Sequence, residues 1–124
     1  MQKISKEDAT QKFKQYSFDC DNAIALDIDD FDLLLESNSI YFIEEKFNTI
    51  EIQNIPFNDY DISNADTILV NFTVHTDYSI SIISEIMEIL SDLCNEDASI
   101  ILSTAPIKEC DISYLKLDIF LGYF

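Results

Sequence analysis

Apolar side chains recur at helical spacing in residues 81–94, SIISEIMEILSDLC, where Ile82, Ile83, Ile86, Met87, Leu90, Leu93 and Cys94 share one broad face. Ser84, Glu85, Glu88, Ser91 and Asp92 fall largely on the other, so the spacing predicts an amphipathic helix over about 79–94. Burying about seven such side chains contributes on the order of 10–20 kcal/mol gross, as an upper bound. A weaker helical pattern opens the chain. Ser5 is placed to cap a helix, with Asp8 three residues on in the position of a capping-box acid. Ala9, Phe13 and Tyr16 follow at helical spacing and extend that helix over about 5–17. NAIAL (22–26) reads as a short apolar link, after which Asp29 or Asp30 caps a second helix running to about 37, with Phe31, Leu34 and Leu35 inward.

Other segments carry strand patterns. SIYFIEEKF (39–47) is rich in aromatic and β-branched residues, and TILVNFTV (67–74) is near-continuously apolar, as a strand buried on both faces is. SIILST (99–104) is a third strand, extended to about 105, and YLKLDIFL (114–121) alternates. Its residues Leu115, Leu117, Ile119 and Leu121 share one face, while Tyr114, Lys116, Asp118 and Phe120 make a partly wet one. TIEIQ (49–53) fits a strand or a loop, and the proline-containing, polar segment 55–66 reads as a connection. The expected fold class is α+β: a two-layer sandwich in one domain, with about four strands and helices packed on one face. Residues 1–38 supply a helical segment and 39–124 the sheet-and-helix core.

Composition narrows the function. The chain has 124 residues, 48% of them hydrophobic, which suits one folded domain. No apolar run approaches the ~20 residues of a membrane span, and the first residues lack the apolar centre of a signal peptide. A cytoplasmic location is therefore expected. The net charge is −17 and all seven basic residues are lysine. Such a surface repels nucleic acid and anionic lipid, so neither is an expected partner; basic or apolar protein surface is. The only glycine is Gly122, which excludes the glycine-rich phosphate loops and any cofactor they would hold. Cys20, Cys94 and Cys110 are odd in number and form no C-x-x-C, as expected of ordinary thiols in a reducing compartment. With the single His75 they match no zinc spacing, so no metal site is expected.

The candidate chemistry lies in ALDIDDFDLLLES (25–37), where Asp27, Asp29, Asp30 and Asp32 interrupt an apolar stretch. The simplest reading is that these acids open a helix and stay solvated beside its positive end. A calcium loop counted from Asp27 fails, because Phe31 and Asp32 stand where an oxygen ligand and a glycine belong. IALDIDDF followed later by IILST resembles the Mg²⁺-dependent haloacid dehalogenase-like phosphatases. That resemblance implies Asp27 as nucleophile, Asp29 as general acid/base, Thr104 on phosphate and Lys108 as charge partner. It also requires a doubly wound sheet and a late acidic pair, and the sequence shows neither pattern.

A second resemblance covers more of the chain. Residues 65–124 read ADTILVNFTVHTDYSISIISEIMEILSDLCNEDASIILSTAPIKECDISYLKLDIFLGYF. The strand ILVNFT, the helix SIISEIMEILSDLC, the turn and strand NEDASIILST and the ending LGYF resemble, in order, the C-terminal domain of FtsZ, the tubulin-like division GTPase. PFNDYDISNA (56–65) and ALDIDDFDLLLES resemble the same family upstream, the latter its synergy loop, Asn-x-Asp-x-x-Asp, and the following helix. Asp27, Asp29 and Asp32 have that spacing, with Asp27 in place of Asn; a second register places Asp30-Phe31 on the family's Asp-Phe pair. The resemblance implies a C-terminal-type domain standing without the GTP-binding domain. It would be non-enzymatic and protein-binding, and would modulate a cell-division filament by docking residues 27–32 on FtsZ or another tubulin-like partner. The alternative is a self-associating domain, a homo-oligomer with no link to division.

Overall fold

The computed structural model of the chain describes residues 2–16, 23–25, 28–48 and 55–124. In chain order these form β1 (Gln2–Ile4), α1 (Lys6–Lys14), α2 (Ile28–Leu35), β2 (Ser39–Asn48), β3 (Thr67–His75), α3 (Ile80–Leu93), β4 (Ser99–Ile107) and β5 (Tyr114–Tyr123). The strands make one sheet in the order β1-β2-β5-β3-β4. β3 and β4 run parallel, joined by α3 as a parallel pair requires, and the other neighbours are antiparallel.

Local chemistry explains the element ends. Ser5 caps α1: its Oγ accepts a hydrogen bond from the Asp8 backbone N–H at 3.0 Å. Glu7 and Asp8 lie in the first turn and Lys12 and Lys14 in the last, each favourable to the helix dipole. α3 has no side-chain cap at Ser79 and no acid in its first turn. Its stability comes instead from burial of Ile83, Ile86 and Leu90 against the sheet, the stripe read from its spacing.

The α+β class is as expected, but the layering differs. Ile68, Val70 and Phe72 of β3 join Leu115, Leu117, Ile119 and Leu121 of β5 in a core under α3. Leu69 and Phe120 point the other way and pack with Ile40, Phe42, Phe31, Leu34 and Ala9. α1 and α2 therefore lie on the face opposite α3, and helices cover both faces rather than one. The face of β5 expected to be partly wet is buried at Asp118 and Phe120 and half-buried at Tyr114 and Lys116. A fifth strand also appears. β1 pairs with β2 at the sheet edge through Gln2–Ile4, too short to leave a periodic pattern.

The connection before β3 is not simply polar. Among the described residues it holds a 3-10 turn, Phe57–Asp59, and buries Phe57, Ile62 and Ala65 in the α3-side core. Residues 49–53, read as strand or loop, lie outside the described residues. Among the described residues no helix is long and apolar enough to cross a membrane.

Gly122, the chain's single glycine, is needed for close approach rather than for an unusual backbone angle. A Cβ placed there would collide with Ser37 Oγ and meet Leu34 Cδ1 at 3.2 Å, under the junction of α2 and β2. Gly122→Ala is expected to cost about 1–3 kcal/mol through overpacking, measured as a lowered urea midpoint with unchanged slope. An unchanged midpoint would show that Ser37 can move aside.

Candidate functional site

α2 places the acidic residues by helical geometry. Phe31 and Leu34 turn onto the sheet, and Phe31 stacks on Phe13 of α1 with ring centroids 4.5 Å apart. Asp29, Asp30 and Asp32 take the remaining circumference and are exposed. Ile28, the first residue of the helix, is 64% exposed beside them. The structure thus brings three of the four candidate aspartates onto one solvent face, two of them in the first turn. Asp27 lies outside the described residues. Among the described residues no group of His, Cys, Asp and Glu is arranged to hold a metal ion. Cys94 and Cys110 are free thiols, and His75 accepts a hydrogen bond from the Asp77 backbone N–H at its Nδ1.

The arrangement a haloacid dehalogenase-like phosphatase needs is not present in the described residues. Asp29 stands on a helix rather than at a strand end, and β5 runs antiparallel between β2 and β3, so the sheet is not doubly wound. Thr104 is fully buried, and its Oγ1 accepts a hydrogen bond from the Ile24 backbone N–H at 2.7 Å. Ile24 also accepts from the Thr104 N–H, so this threonine fastens residues 23–25 to β4. Lys108 is exposed.

A polar feature that sequence reasoning did not single out crosses the face under α1. Strand register aligns Glu44, Asp118, Asn71 and Ser103 in one row over β2, β5, β3 and β4. Asn71 and Ser103 are fully buried, and Ser103 Oγ donates to Asn71 Oδ1 at 2.7 Å. Asp118 is 2% exposed; its Oδ2 accepts from the Tyr16 hydroxyl at 2.7 Å, and Lys116 Nζ lies 3.7 Å away. Asp118 Oδ1 and Asn71 Nδ2 have no hydrogen-bond partner among the described residues. Burial pushes the Asp118 carboxyl above the usual carboxylate range, against the opposing pull of Tyr16 and Lys116. Burial, then the neighbouring Asp118 charge, pushes the Tyr16 hydroxyl up as well, so it stays a donor. A cavity of about 250 Å³ opens between α1 and the sheet, lined in part by Lys12, Tyr16, Glu44, Thr73, Lys116 and Asp118. The one sequence signal was an acid at an alternating position of β5, which by itself reads as a wet face.

No family model and no curated protein matches the chain in sequence. Its structure is similar to solved FtsZ structures. Against an empty FtsZ dimer from M. jannaschii the TM-score is 0.64 at 15% identity, over 80% of this chain and 31% of the FtsZ chain. Against a mutant FtsZ from the same organism it is 0.63 at 17% identity, over 80% of this chain and 32% of the other. At these identities the likeness is one of fold: a mixed sheet with α-helices, of the kind found in the FtsZ C-terminal domain. The chain spans less than a third of either FtsZ chain, as a C-terminal-domain-like fragment does. The resemblance read from residues 65–124 is borne out at that level.

The buried row makes its own prediction. Ser103→Ala removes the donor to Asn71 Oδ1 where no solvent can replace it. Stability should fall by about 1–3 kcal/mol, read from equilibrium urea unfolding. A loss below about 0.5 kcal/mol, the range of an ordinary surface change, would show that Asn71 finds another partner.

Proposed function

We propose that the chain is a non-enzymatic domain that binds other proteins and modulates a tubulin-like cell-division filament, docking through residues 27–32. The observation that carries this reading is the division of labour on α2. Phe31 and Leu34 anchor the helix, while Asp29, Asp30 and Asp32 stand outward on a fold shared with FtsZ. Exposed carboxylates at a helix start contribute only about 0.3–1 kcal/mol each to folding, and their outward clustering supports a role in recognition. The exposed Ile28 supplies an apolar contact beside them. The complementary surface carries Lys or Arg groups, or a Mg²⁺ held by a partner's nucleotide. With Asp27 adding a further negative charge in place of Asn, repulsion from a bare triphosphate favours docking or blocking over activation of hydrolysis.

The chain itself should not bind nucleotide. Without a glycine-rich loop or any arginine it lacks the means to cradle phosphate. Calorimetry with GTP–Mg²⁺ at micromolar concentration should give no saturable heat, and a saturable heat would overturn this.

The docking prediction is tested by Asp29→Ala combined with Asp32→Ala. The double variant should unfold within about 2 kcal/mol of the native chain but lose its effect on FtsZ filaments in sedimentation or light scattering. The native chain's effect should weaken as salt rises, since screening acts on exposed charges. Equal behaviour of the two forms would return the aspartates to a role at the helix start alone. Sedimentation of the chain by itself as a dimer or larger species would favour the second reading, self-association.

A further inference from the structure

A cavity of about 270 Å³ lies where β3 gives way to α3, beside the start of β5. Val74, Ile83 and Leu115 are its buried walls, and half-buried Tyr78 and Tyr114 line it nearer to solvent. Ile112, 62% exposed, completes the apolar lining. Leu115 is at the opposite end of β5 from Gly122 and faces α3, so the cavity is remote from α2 in both end and face of the sheet. Volume limits what it can hold. A cavity of roughly 150 Å³ takes benzene, and drug-sized ligands occupy about 300–1,000 Å³. The space therefore admits one ring on a short chain.

The groups at the rim set the sign of the guest's charge. Asp77 is exposed and lines the cavity. His75 does not neutralise it: Nδ1 accepts the Asp77 backbone N–H at 3.0 Å, so that nitrogen carries no proton and the ring no charge. Asp111 adjoins the lining residues Ile112 and Ser113. Hydrogen bonds from the Ser113 hydroxyl and backbone N–H hold its carboxyl below the usual range, so it stays ionised. Among the described residues no lysine lines the cavity, and Lys46, in the depression beside Asp111, already pairs with Glu44 at 3.5 Å. Tyr78 and Tyr114 add aromatic rings, whose faces attract cations. The uncapped start of α3 pulls the other way, but a helix end amounts to about half a charge against two carboxylates.

We propose that this cavity binds a small organic cation, a protonated amine on a short chain ending in a single ring. The ring fills the space against Val74, Ile83 and Leu115 and covers Ile112, and the ammonium stays at the rim beside Asp77. Apolar contact supplies most of the affinity, and the rim charge selects amine over acid. The net charge of −17 draws such cations toward the chain. The proposal is independent of the docking reading, because no residue of α2 lines the cavity.

The test uses the full chain with carbon-13 in its isoleucine methyls. The probes are phenethylammonium and hydrocinnamate, which carries a carboxylate on the same phenylethyl group. Phenethylammonium should shift the Ile83 and Ile112 methyl signals saturably at millimolar concentration, and hydrocinnamate should bind about five- to tenfold more weakly. Added salt should narrow that gap. Asp77→Asn keeps the shape of the rim and should weaken the amine about two- to fivefold, with hydrocinnamate no weaker. Equal binding of the two probes, an amine affinity untouched by Asp77→Asn, or no saturable shift at Ile83 with the amine would overturn the proposal.

Discussion

β5 lies between β2 and β3, antiparallel to both, and from Leu115 to Gly122 only Lys116 reaches solvent appreciably. Its alternating faces assign the rest of the molecule. Leu115, Leu117, Ile119 and Leu121 give α3 its bed, and Phe120 gives α1 and α2 theirs, stacked on Phe42 with ring centroids 5.0 Å apart. Gly122 leaves the space in which Ser37 and Leu34 close α2 onto the sheet. Asp66 then ties the strand ends together: its N–H donates to Gly122 O, and its own carbonyl accepts from Ser99 N–H. A change on β5 is therefore felt on both faces at once, because close-packed interiors have little room to absorb it.

The two acidic features serve opposite ends of the dielectric range. Around Asp118 a carboxylate is taken out of water, and Tyr16 and Lys116 compensate it only in part. On α2 the carboxylates stay in water, where their folding value is small and their long-range attraction for cationic surface is available. The chain's charge of −17 reinforces that attraction and discourages contact with phosphate-rich polymers. The proposed recognition through α2 would leave the buried core untouched, so that docking and folding could be varied separately.

Period made much of this legible. The stripe on α3, the continuous run of β3 and the alternation of β5 each reflect local geometry, and their elements lie where the residues place them. Helical spacing also separates Phe31 and Leu34 from the acids around them, so the outward face of α2 follows from residues 28–35 alone. The layering did not follow, because covering the second face of β5 depends on Tyr16 meeting Asp118 and Phe31 meeting Phe13, contacts between distant segments. An aspartate at an alternating position reads as wet until the element that covers it is known. β1 escaped notice because three residues, Gln2–Ile4, cannot display a period and gain their strand character from β2. The order of motifs pointed to the FtsZ fold where overall sequence likeness, at 15–17% identity, is slight.

The docking reading is tested most directly by following the backbone amide signals of the isotopically labelled chain. The titrant is nucleotide-loaded FtsZ from the organism that encodes the chain. The reading predicts that signals from Ile28 to Asp32 broaden or shift first, and do so less at high salt, with α3 and β4 unaffected. Changes centred on α3 or β4, or no change at FtsZ concentrations that support filaments, would contradict it.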